Sequence, residues 1–245
     1  MAGKFSLKIA DHIGSPEGKK RYNEEHFSEA ASRYDLATRA MSLGRDGAWK
    51  RQLIAALPAI EAPCCLDLAC GTGDLCFLLA EKYPRGRIIG LDLTEPMLQR
   101  ARQRNRQDNI RFLQGDMNAT GLESGSVDIV TGGYAIRNAP DLGLALREIH
   151  RLLKSGGTAA LLDFSKPAAP AAQRLQYHLL KRWCGLWGLL LHGNPEVHAY
   201  IAASLQTFPE RDALHALVRA EGFELLRSRR FYLGIMELLL LRKAG

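Results

Sequence analysis

The sequence predicts an α/β fold: a mostly parallel sheet with helices on both faces, ending in an antiparallel hairpin. Three observations predict it. Short apolar runs alternate with helical stretches between residues 64 and 164, the pattern of parallel strands joined by crossover helices. A glycine-rich turn, Asp67-Leu68-Ala69-Cys70-Gly71-Thr72-Gly73, follows the first apolar run. Only Leu233-Gly234 separates the last two apolar runs, as in a tight hairpin.

The elements follow in order. Ser15-Pro16 is a helix start signal, and a helix is expected from Gly18 to Tyr34 within a polar N-terminal stretch. Trp49, Leu53, Ile54 and Leu57 form one apolar face of a helix over Asp46 to Leu57. Cys64 to Ala69 is a buried strand and Gly73 to Tyr83 a helix with Leu75, Leu78 and Leu79 inward. Arg87 to Asp92 is the second strand. Pro96 to Asn105 is a helix, with proline tolerated in its first turn. Ile110 to Gln114 and Val127 to Gly132 are the third and fourth strands. The helix Asp141 to Leu153 is expected to stop at Ser155-Gly156-Gly157, and Thr158 to Phe164 is the fifth strand. The rhythm then changes. Ala168 to His192 and Glu196 to Thr207 form a helical insertion. A helix over Glu210 to Glu221 stops at Gly222, and strands Phe223 to Tyr232 and Ile235 to Arg242 close the chain.

Bulk properties exclude several classes. Of the 245 residues, 47% are hydrophobic and 24% charged, a globular balance rather than a disordered one. The five cysteines are Cys64, Cys65, Cys70, Cys76 and Cys184. An odd number without a Cys-x-x-Cys pair reads as reduced thiols, and no metal is expected. The net charge of +7 suits an anionic partner. The basic residues are scattered, however, and the clusters Arg100 to Arg106 and Arg227 to Arg230 read as solvated faces. The stretch Met1 to Lys8 has no leader pattern, and no apolar run approaches the ~18 residues of a membrane span. The expected compartment is the cytoplasm.

The sharpest chemical signal is the strand-turn-helix at Gly71. Ligands of open α/β sheets bind at the carboxyl ends of the strands. Gly71 and Gly73 allow close backbone approach, and the start of the next helix suits a carboxylate. Asp92 lies 19 residues after Gly73, where a carboxylate accepts ribose hydroxyls; alone it reads equally as a helix N-cap. It does not separate a nicotinamide cofactor from S-adenosylmethionine. Position 76 is Cys, so the third glycine of G-x-G-x-x-G is missing, which counts against a dinucleotide. Asp116, after the third strand in Gly115-Asp116-Met117, suits an adenine amino group, with Met117 packing on the ring. Asp67 sits at the end of the first strand, within reach of the glycine loop, and Asp128 reads as structural.

These residues resemble the ubiquinone/menaquinone biosynthesis C-methyltransferases. Asp67 to Leu75 is similar to the family's first motif. Tyr34-Asp35 with Met41-Ser42-Leu43-Gly44 and Trp49-Lys50-Arg51 resembles its N-terminal signature. Ala135-Ile136-Arg137-Asn138, the segment from Leu152 to Pro167, and Tyr200, Ser204 and Phe208-Pro209 fit as well. The resemblance implies a Rossmann-like class I methyltransferase fold with seven strands. The whole chain, 1–245, would be one domain with an N-terminal helical cap (about 1–57) and a helical lid (about 168–208). It implies S-adenosyl-L-methionine as cofactor, contacted by Tyr34, Asp67, Gly71, Thr72, Gly73, Asp92, Leu93, Asp116, Met117 and Gly133. It places Arg137 and Asn138 against the substrate, a quinol or related isoprenoid phenol methylated at carbon. Arg137 would lower a phenol pKa or position a water. The chain departs from the family at Cys70, at Ile201-Ala202-Ala203-Ser204 and at the single Gly234. The changed cap leaves open an acceptor from specialised metabolism, phenolic or terpenoid.

Two features remain. Leu179, Leu180, Trp183, Leu186, Trp187, Leu190 and Leu191 share a helical face near Lys181 and Arg182. That stripe suits a peripheral membrane contact through 179–191 or a hydrophobic substrate lid; a core-facing helix or a homodimer interface is the alternative. His178, His192 and His198 lie near this lid, as a candidate base or as surface and capping residues. No RNA-binding module or Asn-Pro-Pro-Tyr motif occurs, so no nucleic-acid partner is expected.

Overall fold

The computed structural model describes residue 12 and residues 14–244. Met1 to Lys8, read above for a leader, lies outside the described residues. Helix α1 (Pro16–Ala30) starts at Ser15, whose Oγ accepts from the Gly18 N–H at 3.0 Å. A 3-10 turn, Ala31–Arg33, separates it from α2 (Tyr34–Met41). The sequence reading merges the turn into a helix ending at Tyr34 and leaves α2 out. Helix α3 spans Asp46–Ala55.

The alternating core then unrolls: β1 (Cys64–Leu68), α4 (Asp74–Lys82), β2 (Arg87–Asp92), α5 (Glu95–Arg104), β3 (Ile110–Gln114), β4 (Val127–Gly133), α6 (Leu142–Leu152) and β5 (Leu153–Phe164). After it come α7 (Pro170–His192), α8 (Glu196–Thr207), α9 (Arg211–Ala220), β6 (Phe223–Phe231) and β7 (Met236–Lys243). The strand order is β3-β2-β1-β4-β5-β7-β6. The first five strands are parallel, and β7 lies antiparallel between β5 and β6. Leu66, Leu68, Leu91, Ile129, Val130 and Leu161 are buried, as expected for strands covered on both faces.

Two boundaries correct the sequence reading. Ser155-Gly156-Gly157 does not stop a helix; it lies inside β5. Leu153 is already extended, fully buried and paired with Val127, and the β4–β5 register shifts between Val127 and Ile129. Gly156 takes φ +71 in open space, while a Cβ on Gly157 would meet the Lys154 carbonyl oxygen at 2.9 Å. The glycines therefore serve an irregular strand start. The final hairpin is also longer than expected. Its last register pair is Phe231 with Met236, and Tyr232–Gly234 forms a 3-10 turn with Tyr232 at φ +51. The Ile235 carbonyl accepts from the Ser165 N–H at 2.7 Å, which ties this connection to the end of β5.

Helices α7 and α8 form an antiparallel pair over the carboxyl end of the sheet. α7 ends at Gly193, left-handed at φ +68, where glycine relieves the Cβ clash. Trp183 Nε1 donates to the Met41 carbonyl at 3.0 Å, joining α7 to α2. No helix among the described residues is long and apolar enough to cross a membrane.

Close approach within this pair rests on Gly188, where an added Cβ would lie 2.7 Å from the Asn194 carbonyl oxygen and 2.8 Å from that of Pro195. Both are backbone atoms with little freedom to yield. Gly188→Ala is expected to lower global stability by about 1–3 kcal/mol, the usual range for overpacking, measured as a lower urea midpoint.

Candidate active site

The glycine turn is shaped by three left-handed residues, Ala69 (φ +51), Gly71 (φ +54) and Gly73 (φ +92). Its backbone is held by the end of β2. Gly71 N–H donates to Asp92 Oδ2 at 2.8 Å, and Cys70 N–H donates to the Leu91 carbonyl at 3.0 Å. Asp92 Oδ1 accepts from both the N–H and the hydroxyl of Thr94 at 2.9 Å. Burial raises the Asp92 carboxyl above its ordinary value, and these bonds oppose the rise. Each carboxylate oxygen has two acceptor sites, so Oδ2 keeps one for a further donor.

Around this turn lies a cavity walled by Tyr34, Gly71, Asp92, Leu93, Asp116, Met117, Gly133 and Asn138. The Asp116 carboxylate is paired with Lys20 of α1 at 2.9 Å and also accepts from the Asn118 N–H. Three expected cofactor residues are not on the wall. Asp67 is buried behind the turn, bonded to the Thr131 hydroxyl at 2.7 Å and the Cys76 thiol at 3.6 Å. Its side chain sits between β1, β4 and α4, and burial pushes its carboxyl up to about 7. Thr72 turns its hydroxyl to Asp35 at 2.5 Å. Gly73 instead starts α4, where a Cβ would meet the Phe77 ring at 2.9 Å.

A second cavity, about 220 Å³, adjoins the first. That is several times the roughly 30 Å³ share of one water. Met41, Trp49, Phe164, Leu180, Trp183, Ile201 and Met236 give it an apolar wall, with Arg137, Tyr200, His26 and His198 also contributing. Tyr34 and Tyr134 line both cavities. Tyr134 takes φ +60 directly after β4 and donates its hydroxyl to Asp46 Oδ1 at 2.6 Å. Lys50 ties Asp46 to Asp74 at the start of α4, at 2.8 Å to each. Burial holds the Tyr34 and Tyr134 hydroxyls well above the usual phenol range, so both remain protonated.

Arg137 is the largest of the fully buried side chains. Its backbone N–H donates to Asp163 Oδ2 at 2.9 Å and its Nε to Asp163 Oδ1 at 3.3 Å. Its Nη1 reaches Asn138 Oδ1 and the Ser204 hydroxyl. The guanidinium lies 5.2 Å from the Phe164 ring centre and 5.5 Å from that of Tyr200. From α1, Lys19 Nζ donates to the Arg137 carbonyl at 3.0 Å, and Asn23 to the Asn138 carbonyl at 2.7 Å. Burial, with Arg137 second, lowers the Lys19 ammonium to about 8. The sequence reading places Arg137 and Asn138 side by side against one substrate. The structure puts Arg137 on the apolar cavity and Asn138 on the glycine-turn cavity.

Histidines crowd the apolar cavity. His26, which the sequence reading missed, packs among Tyr22, Phe27 and Tyr200, with ring centres 5.4, 4.9 and 4.1 Å away. His198 packs edge-on to His192 at 5.1 Å. Burial lowers all three, His198 to about 4 with help from His192. Tyr134 was missed too, although its place beside the β1–β4 switch point was a usable signal. His26 offered none, since a lone histidine in a polar helix carries no pattern.

A family model described as the ubiE/COQ5 methyltransferase family matches residues 16–240. The chain is 36% identical over 219 residues to a 2-phytyl-1,4-naphtoquinone methyltransferase of Thermosynechococcus vestitus, covering 89% of this chain and 97% of that protein. It is 37% identical over 229 residues to a demethylmenaquinone methyltransferase of Deinococcus radiodurans, covering 91% and 93%. Among solved structures it is similar to S-adenosylmethionine-dependent methyltransferases of Mesorhizobium loti and Aquifex aeolicus. For the first, the TM-score is 0.57 at 18% identity, over 78% of this chain and 95% of that one. For the second it is 0.58 at 14% identity, over 80% and 89%. At these identities the likeness is one of fold.

Two outcomes follow from the buried charges. Asp163→Asn leaves Arg137 without its counter-charge; global stability is expected to fall by about 3 kcal/mol, read from urea unfolding. Acid has its own effect. A buried neutral histidine binds its proton only on unfolding, so its stabilisation is complete above the unfolded value near 6.5. For His198 it is lost progressively as the pH falls from there toward about 4. Between pH 7 and pH 5 the wild type should lose roughly 2 kcal/mol through this residue. His198→Gln should flatten that part of the profile.

Proposed function

The chain belongs to the ubiE/COQ5 methyltransferase family, and we propose that it methylates a ring carbon of a quinol bearing an apolar, isoprenoid-type tail. It is an S-adenosylmethionine-dependent methyltransferase of the class I fold. The observation that carries the proposal is the pair of cavities meeting at Tyr34 and Tyr134. One is polar-ended at a strand terminus, and the other is apolar and aromatic. Curated relatives act on naphthoquinone-type compounds by their names, and this cavity has the chemistry for such a ring.

The residues present fit the cofactor. Gly71 leaves its face open, with only Tyr34 within 4 Å of an added Cβ. Asp92 retains an acceptor site for a ribose hydroxyl. Asp116 and Met117 would take the adenine end, with Leu93, Gly133 and Tyr34 closing the wall. Asp67, Thr72 and Gly73 would act from behind, by holding the turn. Bound there, S-adenosylmethionine supplies an electrophilic methyl group. The protein's part is positioning and exclusion of water. Tyr34 and Tyr134, which line both cavities, would stand between cofactor and acceptor. Arg137 brings positive charge to the acceptor cavity, which favours phenolate character in the ring; Asp163, Ser204 and Asn138 keep it in place. Exposed Leu179, Leu186, Leu189 and Leu190 on α7, beside Lys181 and Arg182, support peripheral contact with a membrane that holds such a substrate. A second copy covering that row is the alternative arrangement.

Labelled S-adenosylmethionine with a panel of demethylated quinols, simple phenols and prenyl compounds tests the proposal, with products located by mass and NMR. Ring-carbon methylation of a quinol is expected. Turnover of a terpenoid or other non-quinone compound, with every quinol inert, would overturn it. Asp92→Ala is expected to weaken S-adenosylmethionine binding by at least about tenfold, equal to ~1.4 kcal/mol, in calorimetry; unchanged affinity removes the ribose assignment.

A further inference from the structure

The apolar cavity is lined by His26 and His198, which the proposed function does not use. His198, on the first turn of α8, lines that cavity and is 3% exposed. Its Nε2 is buried and has no hydrogen-bond partner among the described residues. The neighbouring polar groups are already engaged with one another. Arg137 is bonded to Asp163, Asn138 and Ser204, and its guanidinium lies 5.5 Å from the centre of the Tyr200 ring. Trp187 Nε1 and His192 Nε2 are also buried without a partner among the described residues, but neither residue lines the cavity.

An unsatisfied buried polar atom costs about 1–3 kcal/mol, and such atoms are rare enough in native folds to need an explanation. On the wall of a cavity large enough for a ring, the simplest explanation is a ligand atom. A neutral imidazole carries one N–H and one lone pair. Burial and the adjacent His192 keep this one neutral at physiological pH. A hydroxyl matches Nε2 in either tautomer, because it both donates and accepts. A hydrocarbon matches it in neither.

We propose that His198 Nε2 is the hydrogen-bond partner of a ring hydroxyl on the methyl acceptor, so that the site selects a hydroxylated aromatic ring over an alkene or a bare hydrocarbon. This rests on the apolar cavity being the acceptor site. It deepens that reading by assigning the substrate-positioning contact and by requiring the reduced, hydroxyl-bearing form of the ring.

The test compares two ligands of nearly equal shape, 1-naphthol and 1-methylnaphthalene, binding to the full chain in calorimetry or fluorescence titration. Wild type should prefer 1-naphthol by about tenfold, the effect of one buried hydrogen bond. His198→Phe should bring the ratio close to one while affinity for 1-methylnaphthalene is kept or raised. His198→Gln, which can still donate and accept, should restore part of the preference. A purely structural role for His198 would weaken both ligands together. If Phe disrupts α8 packing, seen in circular dichroism, His198→Leu carries the same comparison. A wild-type ratio near one, or an undiminished preference in His198→Phe, overturns the inference while leaving the cavity assignment standing. Failure of both ligands to bind wild type overturns the cavity assignment and the inference together.

Discussion

The ion pair between Arg137 and Asp163 is the constraint on which the architecture of the site depends. Asp163 comes from the carboxyl end of β5, Arg137 from the segment after β4, and their hydrogen bonds include the backbone of each partner's segment. A charge this deeply buried is tolerated only with its donors and acceptors satisfied. Arg137 meets that condition by recruiting Ser204 from α8, Asn138 beside it, and the faces of Phe164 and Tyr200. One guanidinium thus holds two strand ends and the helical pair above them in register. The two cavities lie on either side of that knot.

A second network fixes the opposite rim. Asp46 receives the Tyr134 hydroxyl and Lys50; Lys50 reaches Asp74; Asp74 pairs with Arg104, which also contacts Asp35 and the Thr72 carbonyl. The chain of contacts runs from α3 through the glycine turn to α5 and back to α2. It explains why Thr72 turns away from the cavity. Thr72 closes the circuit that sets where Tyr34, one residue before Asp35, stands over the cavity. Lys50, Asp74 and Arg104 lie behind the wall of the cavity and hold it in place without lining it.

How much of this could be read from the sequence follows from the range of the interactions. The strands and most helices are local patterns, and the alternation between residues 64 and 164 states them directly. Gly71, Asp92 and Asp116 meet on one cavity wall because they lie at or just beyond the ends of β1, β2 and β3, and strand ends converge in this topology. The errors occur where distant contacts overrule local propensity. Gly156-Gly157 looks like a helix stop, but pairing of Leu153 with Val127 makes it the start of a strand. Tyr34 looks like the end of one helix, yet it begins another. The orientation of Asp67 and Thr72 is not legible locally either, since their partners Thr131, Cys76 and Asp35 include residues from remote segments. The assembly of His26, His198 and Tyr200 joins residues of α1 and α8, which no sequence window contains.

The position of β7 has a consequence for the order in which the molecule is made. This last strand is not at an edge. It lies inside the sheet, pairing with β5 along Thr158 to Phe164 and with β6 on its other side. During synthesis the parallel half of the sheet, the glycine turn and the Arg137 segment all emerge earlier. Until β7 clears the ribosome, β5 presents an unpaired flank, a ready template for another chain. Helices α7 and α8 emerge in that interval, and Ser204 of α8 meets Arg137 beside the carboxyl end of β5. The helical insertion that roofs the site is therefore made, and can reach Arg137, while the flank of β5 still waits for its closing strand.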